Sequence, residues 1–267
     1  MKRQINYFIF IFFIFSSAWS VIYAEIGVVG DLTHTNNVQP GETYETRIVI
    51  KNFGDQETGI KVYQRDFSYN SEASQFFYEI GTQKRSNAGW ITYSPLQGKI
   101  LPFETTEVLC SIQVPDDKTL VGTFWSLIII ESSLAKRYAI QIITHIGLTG
   151  TVQVEFVNTE LVREKESISL HVDVKNSGER LIRPILYVEL YDEEGEFVSK
   201  IEGGTWRIYP DTSVRYRVDV TSLPAGVYKA MIFLDNLDEH VFGTEFLLAL
   251  TNPELLIKTS DSFIYLQ

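Results

Sequence analysis

The chain has 267 residues, 45% of them apolar and 13% aromatic, which is enough to fill two β-rich cores and excludes a disordered chain. Its formal net charge of −11 argues against nucleic acid and against anionic membrane surfaces as partners. A single cysteine, Cys110, excludes an intrachain disulfide framework.

Met1-Lys2-Arg3 is a short basic start, Tyr7 to Phe15 is an unbroken aromatic and isoleucine run, and small residues follow from Ser16 to Ala18 and at Ala24. This is the layout of a secretory signal peptide, expected over residues 1–24. It predicts a periplasmic or secreted protein of a bacterial cell envelope, with membrane contact only if the segment is not cleaved. Removing Lys2 and Arg3 leaves 21 basic against 34 acidic residues, a net −13.

Glu25 to Leu32 is the first strand candidate, and Asn36-Asn37 with Gln39-Pro40-Gly41 reads as a turn. Tyr44, Thr46, Ile48 and Ile50 alternate as on a half-buried strand, and Asn52-Phe53-Gly54 turns the chain. Gly59 to Phe67 supplies the next strand. Ser68 to Asn87 is long and mostly polar, broken by the cluster Phe76, Phe77 and Tyr78. A connection of that length points to a binding loop or to an extra hairpin that packs its aromatics on the sandwich. Trp90 to Pro95 reads as an edge strand ended by its proline. Thr105 to Val114 alternates again and places Cys110 among Val108, Ile112 and Val114, as a small buried hydrophobe. Gly122 to Glu131 is almost continuously apolar and β-branched, the composition of a central strand. Tyr138, Ile140, Ile142, Ile146 and Leu148 share one parity that continues to Val152 and Val154.

From Glu155 the pattern starts again. Val172-Asp173-Val174-Lys175-Asn176-Ser177-Gly178 echoes Ile48-Val49-Ile50-Lys51-Asn52-Phe53-Gly54 at an offset of 124 residues. Tyr209-Pro210-Asp211 echoes Leu101-Pro102-Phe103 at 108, and Gly226 echoes Gly122 at 104. Landmarks in one order at shrinking offsets predict two copies of one β-domain, with residues 68–93 inserted in the first. The expected organisation is an all-β chain of two tandem immunoglobulin-like sandwiches, 25–154 and 155–250, with a C-terminal tail at 251–267.

No nucleophile elbow, phosphate loop or dinucleotide fingerprint is present, and His34, His145, His171 and His240 have no ligand spacing. His145 and His171 fall opposite the apolar parity of their strands, which predicts solvated faces. Asp235 and Asp238 lie in a turn that lacks calcium-loop spacing, so the turn alone is expected. The chain therefore reads as a non-enzyme with no catalytic residues, no cofactor and no metal site.

Two stretches remain as candidates for partner binding. One is Tyr138, Ile140, Ile142, Ile146 and Leu148, which as an exposed edge strand could pair with another backbone, although an internal strand with its apolar face on the core would give the same spacing. The other is the aromatic cluster Phe76, Phe77 and Tyr78. The signal segment, the Lys51-Asn52 turn and the Leu101-Pro102 to Pro115 stretch before the Gly122 strand resemble the PapD-like superfamily, which includes periplasmic pilus-assembly chaperones. The Asn-x-Gly turns and the aromatic insert are also similar, more weakly, to WxL-interacting cell-surface proteins. The first resemblance implies an assembly chaperone that pairs a strand with another exported or envelope protein, such as a pilus-type subunit. The alternative is an adhesive or structural module that binds peptidoglycan or a surface protein through the insertion. Chaperones of that group hold a subunit's carboxylate with basic residues on the first and the donated strands. Glu25 to Leu32 contains neither Lys nor Arg, so no anchor residue carries over.

Overall fold

The computed structural model describes residues 26–250 and, as backbone only, a last strand, Leu255–Leu266. The expected signal segment lies outside the described residues, and the expected tail supplies that last strand.

The first sandwich packs two sheets. One contains β1 (Ile26–Val29), β3 (Thr43–Asn52), β8 (Thr105–Gln113) and β6 (Ile91–Ser94), in that spatial order. The other runs β2 (Thr33–Val38), β10 (Arg137–Ile146), β9 (Gly122–Ser132), β4 (Thr58–Tyr69) and β5 (Gln75–Tyr78), and β7 (Gln97–Ile100) also pairs with β4. The second sandwich packs β11 (Val154–Glu164), β12 (Ser167–Asn176) and β15 (Ser213–Asp219) against a sheet ordered β14 (Phe197–Thr205), β13 (Ile185–Tyr191), β16 (Gly226–Asp235), β17 (Val241–Leu250) and β18 (Leu255–Leu266). The chain is all-β, with two tandem immunoglobulin-like sandwiches.

Alternation explains both cores. Ile48, Ile50, Val108, Cys110 and Ile112 of one sheet face Ile60, Val62, Ile128, Ile130, Ile140 and Ile142 of the other, all buried. Burial pushes the Cys110 thiol up to about 12, so it stays protonated and serves as packing. In the second sandwich Leu170, Val172, Val174 and Tyr216 meet Leu186, Val188, Ile232 and Leu234 in the same way.

The repeated phrases are atomic repeats. The Asn52 side-chain amide donates to the carbonyls of Gln56 and Ile100 at 2.7 and 3.1 Å, and its oxygen accepts from the Gly54 amide at 2.9 Å. Asn176 makes the same three bonds, to Arg180, Ile208 and Gly178, at 2.7, 2.8 and 2.9 Å. An asparagine is needed because it must donate twice and accept once in a buried corner where water cannot substitute. The adjoining proline turn places Phe103 and Asp211 in the left-handed region, at φ 62° and 61°.

Residues 147–153 lead from β10 to β11. The Gln153 carbonyl accepts from the amides of Ser177 and Gly178, and the Thr151 carbonyl from those of Glu179 and Arg180. Phe67, Trp125, Leu127, Ile129 and Ile143 of the first sandwich close around Tyr209 of the second. The Tyr209 ring lies 4.7 Å from Trp125, and its hydroxyl donates to Gln141 at 2.6 Å. Burial raises the pKa of this phenol, so it acts as a neutral donor.

The insertion divides in two. Its first part is a hairpin that continues β4 into β5. Its second part folds back, held by the buried Asp66 carboxylate, which accepts from the Gln83 amide and the Ser86 hydroxyl at 3.1 and 2.6 Å. Asn87 is fully buried there, bonded to Ile142, Thr144 and Ser126. Arg85 reaches the Val121 carbonyl at 2.9 Å and Glu179 of the second sandwich at 3.2 Å. Half of the insertion is therefore a strut for the joint between sandwiches.

Candidate partner-binding face

The edge-strand expectation for Tyr138 to Leu148 is corrected by the structure. β10 lies between two strands: it pairs antiparallel with β9 along its whole length and parallel with β2 from Gln141 to Ile146. Ile140, Ile142 and Ile146 point into the core, and Tyr138 is half-buried with its hydroxyl donating to the Ile26 carbonyl. Leu148 lies past the strand end and is exposed. The cause is β2. Its sequence, Thr-His-Thr-Asn-Asn-Val, reads as a polar turn but forms an edge strand, and edge strands are commonly polar because one side meets water. The chain reaches it by leaving the first sheet at Gly30, whose φ of 103° suits the crossing.

At the other end of this sheet from β2, the open edge is β5. It pairs with β4 through Asp66–Tyr69 against Gln75–Tyr78, and among the described residues no strand covers its other side. Phe76 and Phe77 are 42% and 56% exposed, so the insertion does not pack its aromatics on the sandwich. Phe76 stacks with Tyr78 at 6.4 Å, and Phe77, one residue away in parity, turns to the opposite face.

That opposite face is where the odd-numbered side chains of β4, β9 and β10 emerge. Near the second sandwich they are covered by Tyr209. Farther away they remain open as a groove of ≈ 800 Å³, with Tyr63, Phe77, Ile129 and Ala139 among its walls. Lys61 and Arg65 lie over the Tyr63 ring, at 5.6 and 5.3 Å from its centre. Glu131 accepts from Arg137 at 2.6 Å and from the Tyr63 hydroxyl at 2.9 Å. These two bonds, Arg137 first, hold its carboxyl below the usual range. The groove is thus an aromatic floor with three cations and one fully engaged carboxylate, within an acidic chain. It suits an extended segment with apolar side chains and a negative or neutral rim.

Sequence reasoning missed Tyr63, Arg65, Ile129 and Ala139. Their signal was the parity opposite to the core residues on three strands, where Tyr63 and Ile129 are apolar although they face away from the first sandwich's core.

The histidines are not on solvated faces. His145 is half-buried beside Thr123 at 2.8 Å, and burial, with Arg180 and Arg207 nearby, lowers its pKa. His171 is buried among Ser169, Arg215, Arg217, Glu160 and Asp173, and its pKa is likewise lowered, chiefly by burial. Among the described residues, Asp238, Glu239 and His240 bring three ligand atoms within 4.8 Å of one another. They lie in the β16–β17 turn, with Asp238 accepting from the His240 amide at 2.8 Å.

No family model matches the chain, and no curated protein matches it. Many solved structures that resemble it are PapD-like fimbrial chaperones. The class 5 fimbriae chaperone CfaA is 10% identical, covers 89% of this chain and 99% of its own, and has a TM-score of 0.46. The Escherichia coli chaperone DraB is 11% identical over 79% of this chain and 93% of its own, with a TM-score of 0.39. The Pseudomonas aeruginosa chaperone CupB2 is 10% identical over 82% and 98%, with a TM-score of 0.36. At these values the likeness carries no argument about what this chain does.

Proposed function

We propose that this chain is an exported, non-catalytic binding protein of the cell envelope that holds another envelope protein in a chaperone-like manner. The partner segment adds a strand at the open edge of β5 and seats apolar side chains in the Tyr63–Phe77 groove. The observation that carries this reading is the coincidence of an unpaired edge with an uncovered aromatic face on the same sheet. Main-chain bonds to β5 would supply affinity, and the groove would supply selectivity. A pilus-type subunit with an incomplete sheet is the partner class that suits such a surface.

The stacked pair Phe76 and Tyr78 favours a second reading, an adhesive module that meets a surface polymer through the other side of β5. Two photo-crosslinking positions separate the readings in cells, one at Phe77 and one at Tyr78. Crosslinks from Phe77 to one exported protein, weakened by Tyr63→Ser, are expected. Crosslinks from Tyr78 alone, or to cell-wall material alone, would reverse the order of the two readings. Absence of any crosslink at Phe77 while the chain is folded and exported would reject the groove as the binding surface.

A further inference from the structure

The end of the first sandwich that points away from the second carries four exposed large apolar side chains. Phe53 is 43% exposed, Leu101 50%, Phe103 64% and Leu134 67%. They come from three turns tied together by backbone bonds. The Asn52 amide donates to the Glu104 carbonyl, joining the first two turns, and the Ser133 amide donates to Gly59 at the start of β4, bringing the third to the same end. β4 begins there beside Ile100, the end of β7.

The fold does not require these side chains. The second copy makes the same paired turn with Ser177 where the first has Phe53, and with Asp211 where it has Phe103. Asp is the better residue for a left-handed position, which a bulky side chain adopts only at a cost of roughly 1 kcal/mol or more. Phe103 holds that position at φ 62° with its ring mostly in water. The third counterpart, Tyr209, shows what an apolar residue at this place can do, because it is buried in a contact.

The chain enters at this same end. Ile26 pairs with Asn52 at the start of β1, so the first described residue lies beside the Phe53 turn. The residues before it include the apolar run Tyr7 to Phe15. Lys51, Lys99 and Lys136 accompany the apolar tips, and Asp55, Glu57 and Glu104 offset them, with Lys99 bonded to Glu57 at 2.6 Å. Aromatic and leucine tips ringed by lysines, with balanced charge, match the chemistry of a zwitterionic lipid interface rather than an anionic one.

We propose that, while residues 1–25 remain attached, this end of the first sandwich rests in the lipid headgroup layer, with Phe53, Leu101, Phe103 and Leu134 inserted. The sheet then stands on the bilayer, with β5 toward the second sandwich and the groove opening sideways just beyond the inserted turns. This inference is independent of what the groove binds.

The test uses the full chain with an environment-sensitive fluorophore on Leu101→Cys or, as a control, on Leu148→Cys. The native Cys110 is in the core and is not labelled. Leu148 follows the far end of β10, about 30 Å away at ~3.3 Å per strand residue. On phosphatidylcholine vesicles, emission from the label at 101 should rise several-fold and shift to the blue, while that at 148 stays unchanged. Adding Phe53→Ser and Phe103→Ser, both at exposed positions, should reduce the change at 101 by at least half. No change at 101 on vesicle-bound protein would overturn the proposal. An equal change at 101 without lipid, accompanied by a doubled mass in solution, would also overturn it and assign the surface to a second copy of the chain.

Discussion

The two copies of the paired turn make the same hydrogen bonds and occupy opposite situations. Asn52 and Asn176 each tie three groups in the same pattern. Around Asn52 the neighbouring Leu101 and Phe103 are exposed, whereas beside Asn176 the counterpart Tyr209 is 1% exposed and wedged against Trp125. The bonds shared by both copies build a sandwich, and the side chains that differ decide what that sandwich end meets. In the second copy the turn has become a joint. In the first it remains an outer surface.

The sharpest way to break the equivalence is to add one methyl group at the matched glycines. A Cβ on Gly178 would come within 2.6 Å of the Thr151 carbonyl oxygen and 2.7 Å of the Gln153 nitrogen, both backbone atoms that cannot rotate away. Gly178→Ala should therefore cost about 3 kcal/mol and loosen the joint, since overpacking of this kind costs ~1–3 kcal/mol and the linker bonds move with it. Gly54→Ala, in the half-exposed first turn, should cost under about 1 kcal/mol. Urea unfolding of the two variants, with the radius of gyration from solution scattering, measures both effects. Similar costs in the two would show that the joint does not constrain position 178.

A smaller effect tests the shared half of the comparison. Asn52→Ala and Asn176→Ala each remove the partner of two carbonyls and one amide, and each should cost about 2 kcal/mol, given ~1–3 kcal/mol for stranding buried polar groups. Here the two copies should agree within about 1 kcal/mol, because the lost bonds are the same. A much larger loss for Asn176 would mean that its turn is held mainly by the joint and that the bonding pattern is incidental.

This asymmetry also explains how much was legible in the sequence. Alternation identified the strands that form each core, since Ile48 and Ile50 or Val172 and Val174 have only one apolar face to bury. The turns were legible because Asn-x-Gly and the proline turn are local chemistry. What was not legible was pairing between distant segments. Parity assigned Tyr138, Ile140, Ile142 and Ile146 to one face correctly, yet it contains nothing about whether a strand like β2 lies alongside. Nor could the spacing that linked Tyr209 to Leu101 tell that one would be covered and the other not. The candidate face was visible only in part: the Phe76–Tyr78 cluster could be read, but Tyr63, Ile129 and Ala139 reach it from three strands whose register depends on the finished sheet.

The smallest effect concerns the charge at the joint. His145 emerges from β10 toward the second sandwich, with Thr123 bonded to its ring and Arg180 and Arg207 close enough to disfavour a further positive charge. Burial is the larger cause of its lowered pKa, and the two arginines add to it. The unfolded chain, with an ordinary histidine pKa of about 6.5, takes up the proton first on acidification. Stability is therefore present above that value and is lost as the pH falls below it toward the folded pKa. His171 obeys the same sign, again with burial first and then Arg215 and Arg217, but all of those groups lie within the second sandwich. His34 in the first sandwich shifts the same way, again chiefly through burial, so the histidine share of the acid response is spread over both sandwiches and the joint. Arg180→Gln should raise the His145 titration midpoint seen by imidazole NMR and leave that of His171 in place. His145→Gln should flatten the loss of stability below about pH 6.5, and Gly178→Ala, by opening the joint, should move the His145 midpoint in the same direction as Arg180→Gln. If His145 titrates identically with the joint intact and loosened, the second sandwich contributes nothing to its environment, and the contrast between the two turns is one of packing alone.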